Sequence, residues 1–340
     1  MKSKEIFRTA AAALALTACA PVLAEATVVV VDSGGACTLP NAISYIREHE
    51  EYLGCVDSSG GAGDDTIILD TDVDLTNWLA VMISITIEGQ GHTIKGITNK
   101  PVFFVTSGST LTLNKVTVKG GGDGIEIDDS SAVLNNVTVS GNTGRGIYAE
   151  RSTIVLNNST VSGNGGTGVH GWRGGIELNN ATVSGNAVGV SASELKANLQ
   201  GSLISGNSGL EIKDVTDITE WQTYSNVLGH SGKTNAQAFS STFMPGGTDF
   251  AATSDSANPT ALAAILSPLA SNGGLTQTHA LPAGSPAIDL YASCCSGLSQ
   301  DQRGHDRPFG EDCDAGAFEF DSTSAAPQNI NMAPVYHLLL

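Results

Sequence analysis

The sequence predicts an all-β solenoid in which short parallel strands stack coil upon coil. One ten-residue phrase recurs every 21 or 22 residues, reading TLNKVTVKGG, VLNNVTVSGN, VLNNSTVSGN, ELNNATVSGN and NLQGSLISGN from Thr112, Val133, Val155, Glu177 and Asn198. A second short strand follows each copy, as in GIEI from Gly124 and GIYA from Gly146. Glycine and asparagine separate the strands. A fixed period of this length with alternating short strands is typical of a stacked solenoid.

The N-terminal residues are predicted to be an export signal. A basic leader precedes an apolar stretch over residues 9–20, which is too short to span a bilayer. Two alternatives stay open. Either residues 1–24 are a signal peptide, or residues 1–18 are removed and a lipid is attached to Cys19, because the preceding Leu-Thr-Ala resembles a bacterial lipobox. Both predict an exported protein, extracellular or on the outer cell surface, and the second predicts an outer-membrane lipoprotein.

The amino-acid composition excludes some classes of binding partner. The formal net charge of −18 argues against nucleic acid, because binding a phosphate backbone requires a positive field. Only the lipid on Cys19 would bring the chain to a membrane. Few charged and aromatic residues, 15% and 5%, together with 40 glycines, indicate a β protein rich in turns.

Four segments follow the signal. Residues 25–96 are predicted to form an N-terminal cap and opening coils, 97–213 the regular coils, 214–320 closing coils and 321–340 a flexible tail. The cap is a helix over residues 38–53, with Thr38 as N-cap and Pro40 in its first turn. Such a helix would cover the strand edges of the first coil.

Aligned positions in the regular coils predict which side chains stack. Three apolar columns point inward: Leu113, Leu134, Leu156, Leu178 and Leu199; Val118, Val139, Val161, Val183 and Ile204; and Ile125, Ile147, Val169 and Val190. Two asparagine columns are predicted to hydrogen-bond from coil to coil, namely Asn136, Asn158 and Asn180, and Asn142, Asn164, Asn186 and Asn207.

The cysteines predict disulfides, because export leads to an oxidising compartment. Cys37 with Cys55 would close a loop around the helix, and Cys313 would pair with Cys294 or Cys295, between which the sequence does not choose.

Two sets of motifs resemble known families. The motif CTLPNAI from Cys37 resembles the Cys-Ser-Leu-Arg-Glu-Ala-Ile motif that begins many exported members of the pectin-lyase-like superfamily, with Pro40 and Asn41 replacing the Arg and the acid. Further on, SPL, NGG, TQT, GSPAID, DQRG, RP and CDAGAFE follow in order from Ser267, Asn272, Thr276, Gly284, Asp301, Arg307 and Cys313. That order resembles the choice-of-anchor Q domain of bacterial surface proteins.

The combined resemblance covers residues 37–320. It implies a right-handed parallel β-helix from a Gram-negative bacterium, in a superfamily whose lyases and hydrolases bind acidic or neutral glycans along an outward face. It also implies a structural role, as ion pairs closing the last coil, for Asp301, Arg303, Arg307 and Asp314.

Outward positions of the second strand bring polar and aromatic residues together. The rows are Glu126, Tyr148, His170 and Ser191; then Asp128, Glu150, Trp172 and Ser193; then, at the turn, Asp129, Arg151, Arg173 and Glu194. We expect ligand binding by Glu126, Asp128, Tyr148, Glu150, His170, Trp172 and Arg173. If the protein were a polysaccharide lyase, Arg151 or Arg173 would neutralise a uronate carboxylate, and Tyr148 or His170 would remove the C5 proton.

The favoured function is adhesion or glycan binding at the cell surface without turnover. A secreted lyase acting on uronic-acid polymers is the first alternative, and a passive surface spacer is the second. The sequence requires no cofactor; Asp70, Asp72 and Asp74 are a candidate calcium site, although the glycine and terminal acid of a calcium loop are missing.

Overall fold

The chain folds as a right-handed parallel β-helix, as predicted. The computed structural model describes residues 25–26, 28–31, 35–48, 54–55, 61–62, 65–215, 219–291 and 297–321. Within these residues the parallel strands form two sheets of nine and one of seven. A complete coil contributes one strand to each sheet, so a residue of the regular coils pairs with its counterpart one period away.

Sheet 1 consists of Val28–Val31, Thr66–Leu69, Ile85–Glu88, Thr110–Asn114, Ser131–Asn135, Thr153–Asn157, Gly175–Asn179, Lys196–Gln200 and Glu220–Tyr224. Sheet 2 consists of Val73–Asp74, Thr93–Lys95, Thr117–Lys119, Thr138–Ser140, Thr160–Ser162, Thr182–Ser184, Leu203–Ile204, Val227–Leu228 and Phe250–Ala251. Sheet 3 consists of Leu79–Val81, Phe103–Val105, Ile125–Asp128, Ile147–Glu150, Thr167–Trp172, Val188–Ser193 and Ile212–Asp214.

The predicted apolar columns are confirmed and form the core. Leu134 pairs with Leu113 and Leu156, and Val139 pairs with Val118 and Val161, in parallel register. Members of all three columns are fully buried. Alternate residues of each strand therefore point outward, and on sheet 3 they form an open face.

One asparagine ladder is confirmed. The side-chain amides of Asn142, Asn164 and Asn186 each donate to the next side-chain oxygen along the stack, at 2.9, 2.9 and 3.0 Å, the last acceptor being Asn207. Asn207 in turn donates to the fully buried carboxylate of Glu211, at 2.6 Å.

The second predicted ladder is wrong. Asn136, Asn158 and Asn180 occupy left-handed corners, with φ of 59°, 45° and 49°. Their amides turn away from one another: Asn158 donates to the carbonyl oxygen of Gln300 and Asn180 to that of Asp314. The ladder at this side of the coil runs one residue earlier, and the side chain of Asn157 donates to that of Asn135 at 2.8 Å.

The N-terminal cap contains the predicted helix. It spans Leu39–Glu48, and Thr38 accepts the N–H of Asn41 at 3.3 Å. Residues 49–53, which the sequence assigns to the same helix, lie outside the described residues. The predicted disulfide between Cys37 and Cys55 is present.

The C-terminal residues cover sheet 2, which differs from the closing coils predicted over 214–320. Parallel strands stack as far as Phe250–Ala251, and the chain then runs back along the flank through the short helix Leu262–Ile265 and the antiparallel pair Leu269–Ala270 and Thr278–His279. Gln302 donates to Thr138 at 2.9 Å and accepts from Thr160 at 2.6 Å. These contacts cover the outward side of sheet 2, whereas the outward sides of sheets 1 and 3 stay open.

Buried ion pairs hold this flank, as the motif predicts in part. Arg303 pairs with Asp301 and Arg307 with Glu319, each at 2.7 Å. Asp314 instead accepts backbone N–H groups, including that of Asp289 at 2.9 Å. The pairs lie on the flank because the segment that carries them does not continue the stack.

Several predictions concern residues outside the described part of the chain: the signal peptide, Cys19, Cys294, Cys295 and residues 322–340. Cys313 is disulfide-bonded. Among the described residues no helix has the length and apolar character needed to cross a bilayer.

Candidate functional site

The outward side chains of sheet 3 form the candidate site, which we call the sheet 3 face. Its first row is in parallel register from Phe104 through Glu126, Tyr148, His170 and Ser191 to Lys213. Its second row runs in the same way through Asp128, Glu150, Trp172 and Ser193. The sequence therefore placed its candidate residues correctly relative to one another.

The third row lies at the corner after the strands. Asp129, Arg151, Arg173 and Glu194 all have left-handed backbones, with φ between 47° and 56°. This conformation is uncommon for residues other than glycine, and here backbone hydrogen bonds such as Arg151 N to the carbonyl oxygen of Trp172, at 2.8 Å, hold it.

Ion pairs engage both arginines of this corner. The guanidinium of Arg151 bonds to Asp129 at 2.8 Å and also to Asp128 and Glu150. These hydrogen bonds raise the pKa of Arg151 and lower that of Asp129. Arg173 bonds to Glu194 at 2.7 Å and lies over the ring of Trp172.

Aromatic rings lie along the face. The rings of Tyr148 and His170 meet edge to face, with centroids 5.2 Å apart. Towards the N-terminal end, Trp78 lies against Phe104 with centroids 5.1 Å apart. Trp78 is about two-fifths exposed, so this end of the face offers apolar ring surface to a ligand.

Sequence reasoning missed five of these residues, including Trp78. Arg145 lies 3.8 Å over the ring of Tyr148 and donates to Asp123 through two nitrogen atoms, at 2.9 and 2.7 Å. The signal was present, because Asp123 and Arg145 are separated by one period of 22 residues. Phe104 and Lys213 extend the first row beyond the regular repeats, where no repeated phrase marks their register.

Burial and neighbouring charges shift the pKa values of three residues on the face. Burial, together with the charge of Asp123, raises the pKa of Glu126. Burial and a hydrogen bond to Glu150 raise the pKa of Tyr148. Burial, then the positive charges of Arg145 and Lys213, lower the pKa of His170. At neutral pH His170 is therefore uncharged, and its ring can both donate and accept a hydrogen bond.

Three polar groups of the first row have unused hydrogen-bonding capacity. Neither the carboxylate of Glu126, nor the ring nitrogen atoms of His170, nor the hydroxyl of Ser191 bonds to any residue that the structure describes. Ser191 is only 3% exposed yet belongs to the outward row between His170 and Lys213. Donors and acceptors that have no protein partner can bond to a ligand, so this row is suited to a ligand that supplies hydrogen bonds.

The groups required by a lyase are present but committed to other contacts. Tyr148 donates its hydroxyl proton to Glu150 at 3.1 Å, and its raised pKa keeps it protonated and so unavailable as a general base. His170 is the better placed base. The guanidiniums of Arg151 and Arg173, which were proposed to neutralise a uronate, are already paired with carboxylates of the protein. A uronate would have to displace those carboxylates.

The candidate calcium ligands contact other groups. Asp72 accepts the backbone N–H of Thr93 at 2.8 Å and contacts His92 at 3.2 Å, while Asp74 lies 3.6 Å from Lys95. Across the described residues, no three His, Cys, Asp or Glu side chains come together as a group that could hold a metal ion.

Comparisons with known proteins concern the fold. A family model described as "Right handed beta helix region" matches residues 101–227. A search of curated proteins gives no match. A solved structure titled "Crystal structure of pectate lyase Pel9A" is similar at 15% identity and a TM-score of 0.36, over 76% of this chain and 88% of that one. Similarity at this level carries no argument about activity.

Proposed function

We propose that this β-helix is an exported surface protein that binds a glycan along the sheet 3 face without turning it over. The observation that carries the proposal is the row of unpartnered polar groups, Glu126, His170 and Ser191, beside partly exposed rings. Sugar hydroxyls both donate and accept hydrogen bonds, and pyranose rings offer apolar faces that pack on aromatic side chains.

The charge of the face opposes polyuronate. Arg145, Arg151 and Arg173 are each held by carboxylates, and the protein as a whole carries −18. A polyanion would therefore meet net repulsion on approach. This favours neutral or positively charged glycans and weakens the lyase alternative, which rests on His170 as an accessible neutral base.

The experiment that tests the proposal is a binding screen of the mature protein against an oligosaccharide panel. The double variant Tyr148→Ala/Trp172→Ala should lose at least about tenfold in affinity for any bound glycan, since two ring contacts each contribute about 1 kcal/mol. Tyr224→Ala is the matched control, because Tyr224 is an exposed aromatic residue on sheet 1, and it should bind as the wild type does.

Two results would overturn the proposal. Binding to no glycan of a broad panel would favour the passive spacer. Formation of unsaturated products from a uronic-acid polymer, abolished in His170→Ala, would establish the lyase instead.

Export and anchoring are part of the same proposal and depend on residues 1–24. If Cys19 carries a lipid, processing of the precursor should be sensitive to globomycin and should change in Cys19→Ser. Processing that is unchanged under both conditions would leave the ordinary signal peptide.

A further inference from the structure

One part of the sheet 3 face has an excess of negative charge. Glu126 points outward between Phe104 and Tyr148 and has neither a hydrogen bond nor an ion pair within the described residues. The nearest guanidinium, that of Arg145, is held by Asp123 through two nitrogen atoms. Glu126 is therefore a half-buried carboxylate whose natural counter-charge is committed elsewhere.

The surrounding groups increase this excess. Five carboxylates belong to the patch and two guanidiniums offset them; the carboxylates are those of Asp123, Glu126, Asp128, Asp129 and Glu150, and the guanidiniums those of Arg145 and Arg151. A positively charged group arriving at Glu126 would relieve this repulsion. The rings of Phe104 and Trp78 adjoin the site, and aromatic faces attract ammonium groups.

The far end of the same row has the opposite character. Ser191, whose hydroxyl has no hydrogen-bond partner among the described residues, lies between the neutral ring of His170 and the ammonium of Lys213. Four coils separate Glu126 from Lys213, about 19 Å at the usual ~4.8 Å between strands. A ligand spanning this distance would meet a carboxylate at one end, neutral hydrogen-bonding groups in the middle and a positive charge at the other end.

We propose that the glycan bound on this face carries a free amino group on the sugar that occupies the Glu126 position. This inference rests on the proposed function and names its ligand class, an amino-sugar oligomer. A basic peptide fits less well, because successive positive charges along the row would approach Lys213, whereas hydroxyls on each sugar satisfy His170 and Ser191.

Isothermal titration of the full mature chain tests the inference with four probes: glucosamine oligomers, their N-acetylated counterparts, uncharged glucose oligomers and oligolysine. At slightly acidic pH and low salt, where the sugar amine is protonated, we expect the glucosamine oligomer to bind about tenfold more tightly than its N-acetylated form. The difference should shrink as salt is added and vanish in Glu126→Gln. Glu177→Gln, which removes an exposed carboxylate from the outward side of sheet 1, should keep it.

The outcomes separate the two proposals. Equal binding of the amino, N-acetylated and uncharged oligomers would overturn the amino-sugar inference and leave glycan binding intact. Binding of none of the oligosaccharides would overturn both. Tighter binding of oligolysine than of any sugar would assign the face to a peptide and overturn both as well. An unchanged melting temperature in Glu126→Gln would show that the variant is folded and that its loss reflects the ligand.

Discussion

Replacing Asn164 by alanine should destabilise the solenoid far more than replacing Asn157 of the same coil. The side chain of Asn164 is 2% exposed and makes four hydrogen bonds. Its amide donates to Asn186 and Val139, and its oxygen accepts the backbone and side-chain N–H groups of Asn142, at 2.9–3.1 Å. Removing it leaves the backbone and side-chain N–H groups of Asn142 buried without this acceptor.

The expected magnitudes follow from the number and burial of these bonds. Four buried hydrogen bonds at about 1 kcal/mol each predict a loss of about 4 kcal/mol for Asn164→Ala. Asn157 makes two side-chain bonds, with Asn135 and Asn179, on the half-buried outward side of sheet 1. Water can replace those partners, so Asn157→Ala should cost about 1 kcal/mol.

Urea unfolding followed by far-ultraviolet circular dichroism measures both values. The denaturant slope must be the same in the variants and the wild type, because stacked repeats can unfold in more than one step. Equal losses in the two variants, or a loss under about 1 kcal/mol for Asn164→Ala, would refute the reasoning that the buried ladder holds the coils together.

Three further predictions concern the flank, the corners and the cap. Burial and the neighbouring carboxylate raise the pKa of Asp314 from 3.8 to about 7. The folded state therefore favours the protonated form, and stability should fall as pH rises from about 4 to about 7 and then level off. The decline in melting temperature over this range should be smaller in Asp314→Asn. Parallel pH profiles of the two proteins would contradict this. In Gly146→Ala the new Cβ would lie 2.6 Å from a carbonyl oxygen of the next coil, so urea unfolding should show a loss of about 1–3 kcal/mol in stability. The control is Gly247→Ala, where the new Cβ meets open space. It should change stability by less than about 0.5 kcal/mol. Replacing Cys37 and Cys55 by alanine should cost about 3 kcal/mol in the same assay, because the bridge spans 18 residues; no difference from the wild type under non-reducing conditions would show that the bridge does not limit unfolding.

The regular coils were predictable because one rule relates their sequence to their contacts. Parallel strands in register place residues one period apart side by side, so the spacing of Tyr148 and His170 was enough to make them neighbours. The same rule predicted the ladder that includes Asn142 and Asn164. It failed at Asn158, because a left-handed corner turns the side chain away from the stack and towards Gln300.

The side-chain contacts that set the charge and hydrogen-bonding capacity of the sheet 3 face were harder to predict from the sequence. The period placed Arg151 beside Asp129, but the additional bonds to Asp128 and Glu150 depend on the conformation of a long side chain at the corner. The unused hydrogen-bonding capacity of Ser191 likewise became apparent only when all of its neighbours were in place.

The sequence by itself determined the solenoid, its register and the membership of its outward rows. The reason is that each coil repeats the strand and turn pattern of the coil before it, so equivalent residues pair across the parallel strands. Only the tertiary structure decided which of the three faces is covered. The chain beyond Ala251 has no period, and it contacts residues such as Thr138, whose partner Gln277 lies 139 positions away. Contacts over that separation depend on the fit between two folded surfaces, which no local pattern in the chain encodes.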